Sequence, residues 1–345
     1  SSNIMTPIGT IKIKTNGQVV EKTKTGWKKS NKLPEINNIV KLFKAHRNLK
    51  LLIDEKNKKF LKGQLSPNNQ ILGKRITQLP DGTKLDKAYS LFSTNLRIHD
   101  QDSHDHWDVL YQNKGGTYAY CYSLEKKQLH KKNKFKKVAK FNKVYNNLTK
   151  QVTKALKTDP LALPLHTLLK TYMRIGNETY YKAHGHKGLT TLMKKDIKIK
   201  NNTVLFNYLG KDGVPRHIEQ KFSKTYINQL KNKLKLLKNN DFVFTNNGKP
   251  LHSIDFKHAF AKYCGQEFYP HIVRSHYATT YVQSFLKNKR RITKQEKDTL
   301  FLSVAAKLGH KKFMKKQNVW KDNFSVTVNH YIQPELVERV NKLVR

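Results

Sequence analysis

The hydrophobic pattern changes period near residue 130, and that change limits the folds open to the chain more than any other feature. Over residues 5–122 apolar positions come in short alternating segments such as Thr10-Ile11-Lys12-Ile13-Lys14, broken by turn formers at Asn16-Gly17, Pro80-Asp81-Gly82 and Lys114-Gly115-Gly116. Alternation of this kind marks half-buried strands, and Gly, Asn, Asp and Pro supply the backbone angles that reverse them. Over 131–157 the spacing becomes three and four, with Phe135, Val138, Phe141, Val144, Tyr145, Leu148 and Val152 recurring among lysines. That is the signature of an amphipathic helix. The chain therefore predicts an α+β fold in two parts: a β-rich domain over 1–127 with at least one helix, and a mainly α-helical domain over 128–345.

The second part is interrupted by strands only once. A helix is expected over 161–182, and 201–218 alternates as two strands around Gly210-Lys211-Asp212-Gly213, a hairpin signal. Helical spacing then returns over 226–237, 254–264, 275–286, 298–308 and 334–344. No segment repeats with a fixed period, so a solenoid is not expected.

Charge narrows the partner. Lys and Arg total 68 against 24 Asp and Glu, a net +44 that would repel itself without a polyanion nearby. Nucleic acid is the expected partner. A membrane-surface protein fits less well, because basic amphipathic helices seldom come with aromatic residues spread through a long mixed sequence; a ribosomal-type RNA binder is the plainer alternative. The two cysteines, Cys121 and Cys264, form no Cys-x-x-Cys pair, so neither a disulfide framework nor a zinc module is indicated. No apolar run approaches the roughly 20 residues that span a bilayer, and the polar stretch 1–18 lacks the core of a signal peptide. The expectation is an intracellular chain with no membrane partner.

Five segments of the second part each carry one polar residue that a core would not request: Arg174, Lys211, Arg274, His310 and Tyr331. Cleavage of a phosphodiester passes through a pentacoordinate phosphorus whose equatorial oxygens gain negative charge, and two guanidinium forks can each donate paired hydrogen bonds to it. Arg174 and Arg274 suit that task. Each has an ordinary reading beside it, since a helical arginine in so basic a chain is usually solvated or bound to a backbone phosphate. Lys211, at a hairpin tip, could hand a proton to a departing oxygen, although most lysines in such turns are simply exposed. Tyr331 is the candidate nucleophile, with Tyr277 and Tyr281 the next to consider.

In order along the chain, Tyr172-Met173-Arg174-Ile175-Gly176-Asn177, Gly188-Leu189-Thr190-Thr191-Leu192, Gly210-Lys211-Asp212-Gly213, Ile272-Val273-Arg274-Ser275-His276-Tyr277, Leu308-Gly309-His310 and Asn329-His330-Tyr331 resemble the active-site segments of type IB DNA topoisomerases, of the small viral and bacterial kind. The resemblance covers about residues 110–345. It implies relaxation of duplex DNA through a 3′-phosphotyrosyl intermediate on Tyr331, with Arg174, Arg274 and His310 on the phosphate and Lys211 as general acid, without ATP, cofactor or metal. It also implies DNA contacts from Tyr120 and Tyr122 on a Tyr-x-Tyr strand, which reads equally well as an ordinary aromatic sheet face; Asn177 and Tyr180 in the first motif are further candidates, and the lysines at 131, 132, 134, 136 and 137 are expected to bind phosphates. A monomer gripping DNA between a clamp domain and a catalytic domain is expected.

Two features depart from the pattern. From His310 to Tyr331 is 331 − 310 = 21 residues, a long interval that would put the tyrosine on a mobile segment. His271-Ile272-Val273-Arg274 resembles the His-x-x-Arg box of tyrosine recombinases, which makes His271 a further site candidate and a recombinase or integrase the main alternative. A DNA or RNA binder with a dead site is a third reading. The run 99–108, rich in Asp and His, could suggest a metal, but acidic and histidine residues between periodic segments more often form a solvated loop.

Overall fold

The computed structural model describes residues 5–98, 108–114, 116–124 and 131–345, apart from the side chains of 131 and 132. Residues 99–107 of the Asp- and His-rich run lie outside the described residues. Its last member, Asp108, is buried and accepts the backbone N–H of Ser123 at 2.6 Å, a structural role. The chain divides into two compact units, Ser1–His130 with Lys182–His184, and Lys131–Tyr181 with Gly185–Arg345.

The first unit is built from short strands, as period-two patterning requires. Strands β1 (Ile11–Ile13), β2 (Val19–Thr23), β3 (Gly26–Lys29), β4 (Gln64–Leu65) and β5 (Ile71–Leu72) form an antiparallel sheet in the order β3-β2-β1-β4-β5. Strands β6 (Ile76–Gln78) and β7 (Lys84–Tyr89) pair, and β8 (Thr94–Ile98), β9 (Val109–Gln112) and β10 (Tyr118–Cys121) make a second antiparallel sheet. Helix α1 (Ile36–Ala45) in this part buries Ile36, Ile39, Val40, Leu42 and Phe43 at helical spacing.

The second unit opens with α2 (Lys131–Lys154), whose Val138, Phe141, Leu148 and Val152 are buried as the spacing predicts. Phe141 meets Phe260 and Phe268 edge-on at 5.9 and 5.1 Å, the geometry that aromatic quadrupoles favour. The segment expected as one helix over 161–182 is broken. Helix α3 (Ala162–Thr171) stops at Tyr172, which takes a left-handed φ of 57°; an extended stretch follows, and α4 (Glu178–His184) begins only after Asn177 caps it through Tyr180 N–H at 2.6 Å. The periodicity runs through the break because its apolar residues, Met173 and Ile175, stay buried while the backbone leaves the helix.

Strands β12 (Thr203–Leu209) and β13 (Pro215–Lys221) form the expected hairpin, with Phe206 opposite Ile218, and β11 (Ile197–Lys200) adds a third strand. Then come α5 (Lys224–Lys235), the small pair β14 (Thr245–Asn246) and β15 (Lys249–Pro250), α6 (Ser253–Cys264), α7 (Ile272–Leu286) and α8 (Lys294–Leu308). Helix α8 starts earlier than its apolar pattern suggests, because Thr293 and Glu296 form a reciprocal capping box.

The interval from His310 to Tyr331 is folded rather than a loose tether. It holds the antiparallel pair β16 (Lys311–Met314) and β17 (Val319–Asp322), then a π-helical turn, Thr327–Tyr331, before the last helix α9 (Pro334–Leu343). Tyr331 itself is buried in a cluster with Val282, Leu300, Val304, Leu308, Ile332, Leu336 and Val340. Among the described residues no helix is long and apolar enough to cross a membrane.

Candidate active site

Two glycines make the first motif possible. Gly176 has φ of 69°, and a Cβ on Gly188 would collide with Gly176 N and sit 2.6 Å from the Arg174 carbonyl oxygen, so only the bare backbone lets these segments touch. Across that contact Leu189 N–H donates to Arg174 O and Thr190 N–H to Ile175 O, both at 2.8 Å. Arg174 is thus fixed on a bend held by the Gly188–Leu192 shelf, not on a helix face as its sequence context had suggested. Beneath the shelf, Lys187 and Asp196 form an ion pair of 2.7 Å that is nearly inaccessible to solvent.

Arg274 lies in the first turn of α7 and is 1% exposed. Its guanidinium donates to the carbonyl of Tyr172 at 2.5 Å and to that of Leu308 at 2.9 Å, tying the ends of α3 and α8 together. Its Nε has no hydrogen-bond partner among the described residues. Burial, and then the positive charge of Arg174, lower its pKa to about 10, which still leaves it cationic at neutral pH. A buried guanidinium that meets carbonyls rather than carboxylates has an uncompensated charge, and an anion arriving there would be strongly bound.

His310 follows Gly309, the left-handed cap of α8. Its Nδ1 lies 2.7 Å from Thr327 Oγ1, and its Nε2 is 3.4 Å from Arg274 Nη2. Burial, followed by the charges of Arg274, Arg174 and Arg216, holds its pKa well below the usual histidine value. The ring is neutral at physiological pH and can offer one N–H.

Tyr331 ends the π-helical turn with 2% of its surface exposed. Around its ring stand His310 at 4.5 Å and His271 at 5.3 Å, the Arg274 guanidinium at 5.4 Å and the Lys134 ammonium at 5.3 Å. Burial alone would raise the phenol pKa, but the positive charges of Arg174 and Arg274 outweigh it and bring the value below that of free tyrosine. The hydroxyl lies close to both guanidinium groups yet makes no hydrogen bond of ordinary geometry with either.

The fold thus brings four of the five sequence candidates, Arg174, Arg274, His310 and Tyr331, into one cluster, together with the further candidate His271. Lys211 occupies the turn Lys211–Gly213 between β12 and β13, with its ammonium shielded from solvent. The same hairpin carries Arg216 to the cluster: its guanidinium lies over Gly309, where any Cβ would collide with it, and donates to Lys307 O at 3.3 Å. Sequence reasoning missed Arg216 and Thr327, each placed by contacts that no local spacing encodes; five residues after Lys211, on the returning strand, was the one available hint for Arg216.

Other expected DNA contacts are placed differently. Lys134 donates to the carbonyl of His330 beside the tyrosine, whereas Lys136 and Lys137 are exposed on α2. Lys131 has a described backbone only. Asn177 spends its side-chain oxygen capping α4, and Tyr180 lies 5.9 Å from the His186 ring. Tyr277 is stacked on Tyr172 at 4.2 Å and packs against the core, and Tyr281 tilts against Tyr277 from an exposed position. In the first unit Tyr120 is exposed on β10 together with Tyr118; Tyr122, just past the strand, is half-buried, and burial, then the neighbouring Tyr120, raises its pKa.

Fixed cations packed around a phenol of lowered pKa form a site able to hold a phosphate ester of that tyrosine. Residues 123–333 match the family described as eukaryotic DNA topoisomerase I, catalytic core. This is more than half of the chain and includes every residue of the cluster, and the protein belongs to that family. The chain is also similar to the XerH site-specific recombinase bound to difH substrate in a pre-cleavage complex (18% identity, TM-score 0.33, covering 49% of this chain and 46% of that one). A post-cleavage complex of XerH with palindromic difH is similar at 19% identity and TM-score 0.31, covering 41% and 40%. The chain spans less than half the length of these recombinases. No curated protein matches it.

Proposed function

We propose that the protein is a type IB DNA topoisomerase, relaxing supercoiled duplex DNA by transient cleavage of one strand. The observation that carries this reading is the burial of Tyr331 against Arg174, Arg274 and His310, with its phenol pKa drawn down by the two guanidinium groups. The Tyr331 oxygen attacks the scissile phosphorus as the phenolic proton passes to water, and an Oη–P bond forms. Arg174 and Arg274 neutralise the charge that gathers on the non-bridging oxygens, and neutral His310 donates its N–H to one of them. The P–O bond to the 5′ oxygen breaks, and Lys211 supplies the proton to that leaving oxygen. The freed strand rotates; its 5′-hydroxyl then attacks the phosphotyrosine, and the same groups run in reverse. Because the ester retains the bond energy, no ATP is required. The arginines and lysine provide the positive charge that a divalent ion provides in other phosphoryl-transfer enzymes.

Double-stranded DNA is the partner this reading requires, with Lys136, Lys137 and the exposed tyrosines of β10 as phosphate and sugar contacts. Relaxation of plasmid by the dilute protein in EDTA tests it, and Tyr331→Phe must abolish the covalent protein–DNA adduct while sparing binding. Persistence of the adduct would move the nucleophile elsewhere.

One observation favours a second reading. His271 stands against Tyr331, as the His-x-x-Arg box of a tyrosine recombinase would place it. Strand exchange between two paired sites, without relaxation by a monomer, would decide for the recombinase.

A further inference from the structure

The pair β16–β17 is built in a way that its own stability does not explain. Lys312 stands directly across from Lys321, and Lys311, Lys315 and Lys316 add three more cations against the single carboxylate of Asp322. Asp322 faces Lys311 across the ribbon, which leaves Lys312 and Lys321, and Lys315 and Lys316 at the turn, with no carboxylate opposite them. Like charges placed opposite each other weaken a two-stranded ribbon that is marginal on its own. The antiparallel backbone ladder and one cross-strand aromatic pair, Phe313 with Trp320 at 5.3 Å, hold the strands together, and Phe313 is 38% exposed. The tip, Lys315-Lys316-Gln317-Asn318, is exposed.

The base, by contrast, is fixed at the active site. Asn323 N–H donates to the carbonyl of His310 at 2.9 Å, and Phe324 packs on Phe301 of α8 at 5.7 Å. A firmly seated ribbon with unshielded like charges has the form of an element that completes its electrostatics on a polyanion. A two-stranded ribbon also fits the width of the major groove of B-form DNA.

We propose that β16–β17 is a separate duplex-binding element that lies along the groove beside the scissile phosphate, its lysines neutralising backbone phosphates. The inference rests on the reading of the site as one that cleaves DNA, but its test does not depend on cleavage. In the Tyr331→Phe protein, the association constant for a linear duplex is measured as salt is varied, with and without Lys312→Gln, Lys315→Gln, Lys316→Gln and Lys321→Gln combined. Every phosphate that the variant ceases to neutralise should reduce the slope of log Kobs against log salt by about 0.9, so a fall of roughly 2–4 is expected for the four substitutions together. A control with Lys224, Lys231, Lys235 and Lys238 of the α5 region changed to Gln should alter the slope by less than half as much. An unchanged slope in the hairpin variant, or an equal fall in the control, overturns the proposal. If the unmodified protein fails to form an adduct, the topoisomerase reading falls while the slope still reports on the hairpin; if the adduct forms and the slope is unmoved, only the hairpin proposal falls. A far-ultraviolet spectrum and melting curve matching those of the parent establish that the variant is folded.

Discussion

His310 Nδ1 lies 2.7 Å from Oγ1 of Thr327, a buried hydroxyl four residues ahead of Tyr331. A hydroxyl can either accept or donate, so Thr327 supports both tautomers of the neutral ring: one in which Nε2 accepts from Arg274, and one in which Nε2 donates to a phosphate oxygen. The proton can therefore move to the nitrogen that faces the substrate without leaving the other unsatisfied. Thr327→Val keeps the shape and removes this option. Single-turnover cleavage should slow about tenfold, the worth of one hydrogen bond to a reacting group, while Thr327→Ser should restore most of the rate. Equal rates for Val and Ser would show that the contact only packs.

Lys211 is tested by its leaving group. Lys211→Ala should slow cleavage of ordinary DNA by about 100-fold or more, within the usual range for a general acid, and should slow far less the cleavage of a duplex with sulfur at the 5′-bridging position, which departs without a proton. Equal slowing on both substrates would remove Lys211 as the acid.

The Gly176–Gly188 contact predicts a defect in geometry. Gly188→Ala forces a Cβ into the backbone of Gly176 and to 2.6 Å from the Arg174 carbonyl oxygen, and the bend bearing Arg174 must shift. Misplacing a catalytic group by about 1 Å can cost on the order of 100-fold in rate, so cleavage should collapse in a protein that still binds DNA and still shows a cooperative melt. Wild-type cleavage by this variant would mean that the bend adapts freely.

Buried histidines predict acid sensitivity. Burial, and for His166 also the charge of Lys170, lowers the pKa values of His166 and His276 from 6.5 to about 4. Between those values the unfolded chain binds protons that the folded chain refuses. Their contribution is thus complete above pH 6.5 and is lost as the pH falls toward 4, by at most about 3 kcal/mol for each histidine. His166 lies 5.4 Å from the Tyr226 ring, and its Nδ1 has no hydrogen-bond partner among the described residues, so His166→Phe should flatten the decline in melting temperature between pH 7 and 4.5. A variant whose acid decline matches the parent's would assign the sensitivity to other groups.

Much of the site was legible because chemistry is written in residue type and order. Arg174, Arg274, His310 and Tyr331 stood out as polar residues in apolar settings, and they do converge. Local pattern misled where the backbone departs from it. Met173 and Ile175 keep the helical spacing through a segment that is extended, which placed Arg174 on a helix; and residues 311–322, full of lysine, gave no sign of the ribbon they form, since its pairing is a backbone ladder between two segments that carry little apolar alternation.

The sequence by itself determined the α+β division, the amphipathic faces, the charge that calls for a polyanion and the candidate reactive groups, because periodicity and functional-group chemistry are local properties. Only the tertiary structure decided that Tyr331 is buried rather than carried on a loose segment, that Arg216 and Thr327 attend His310, and that Lys134 turns inward while Lys136 and Lys137 stay exposed. Those outcomes depend on distances between segments up to about two hundred residues apart, such as Lys134 and the carbonyl of His330, and pairwise packing at that range leaves no mark on the spacing of neighbours along the chain.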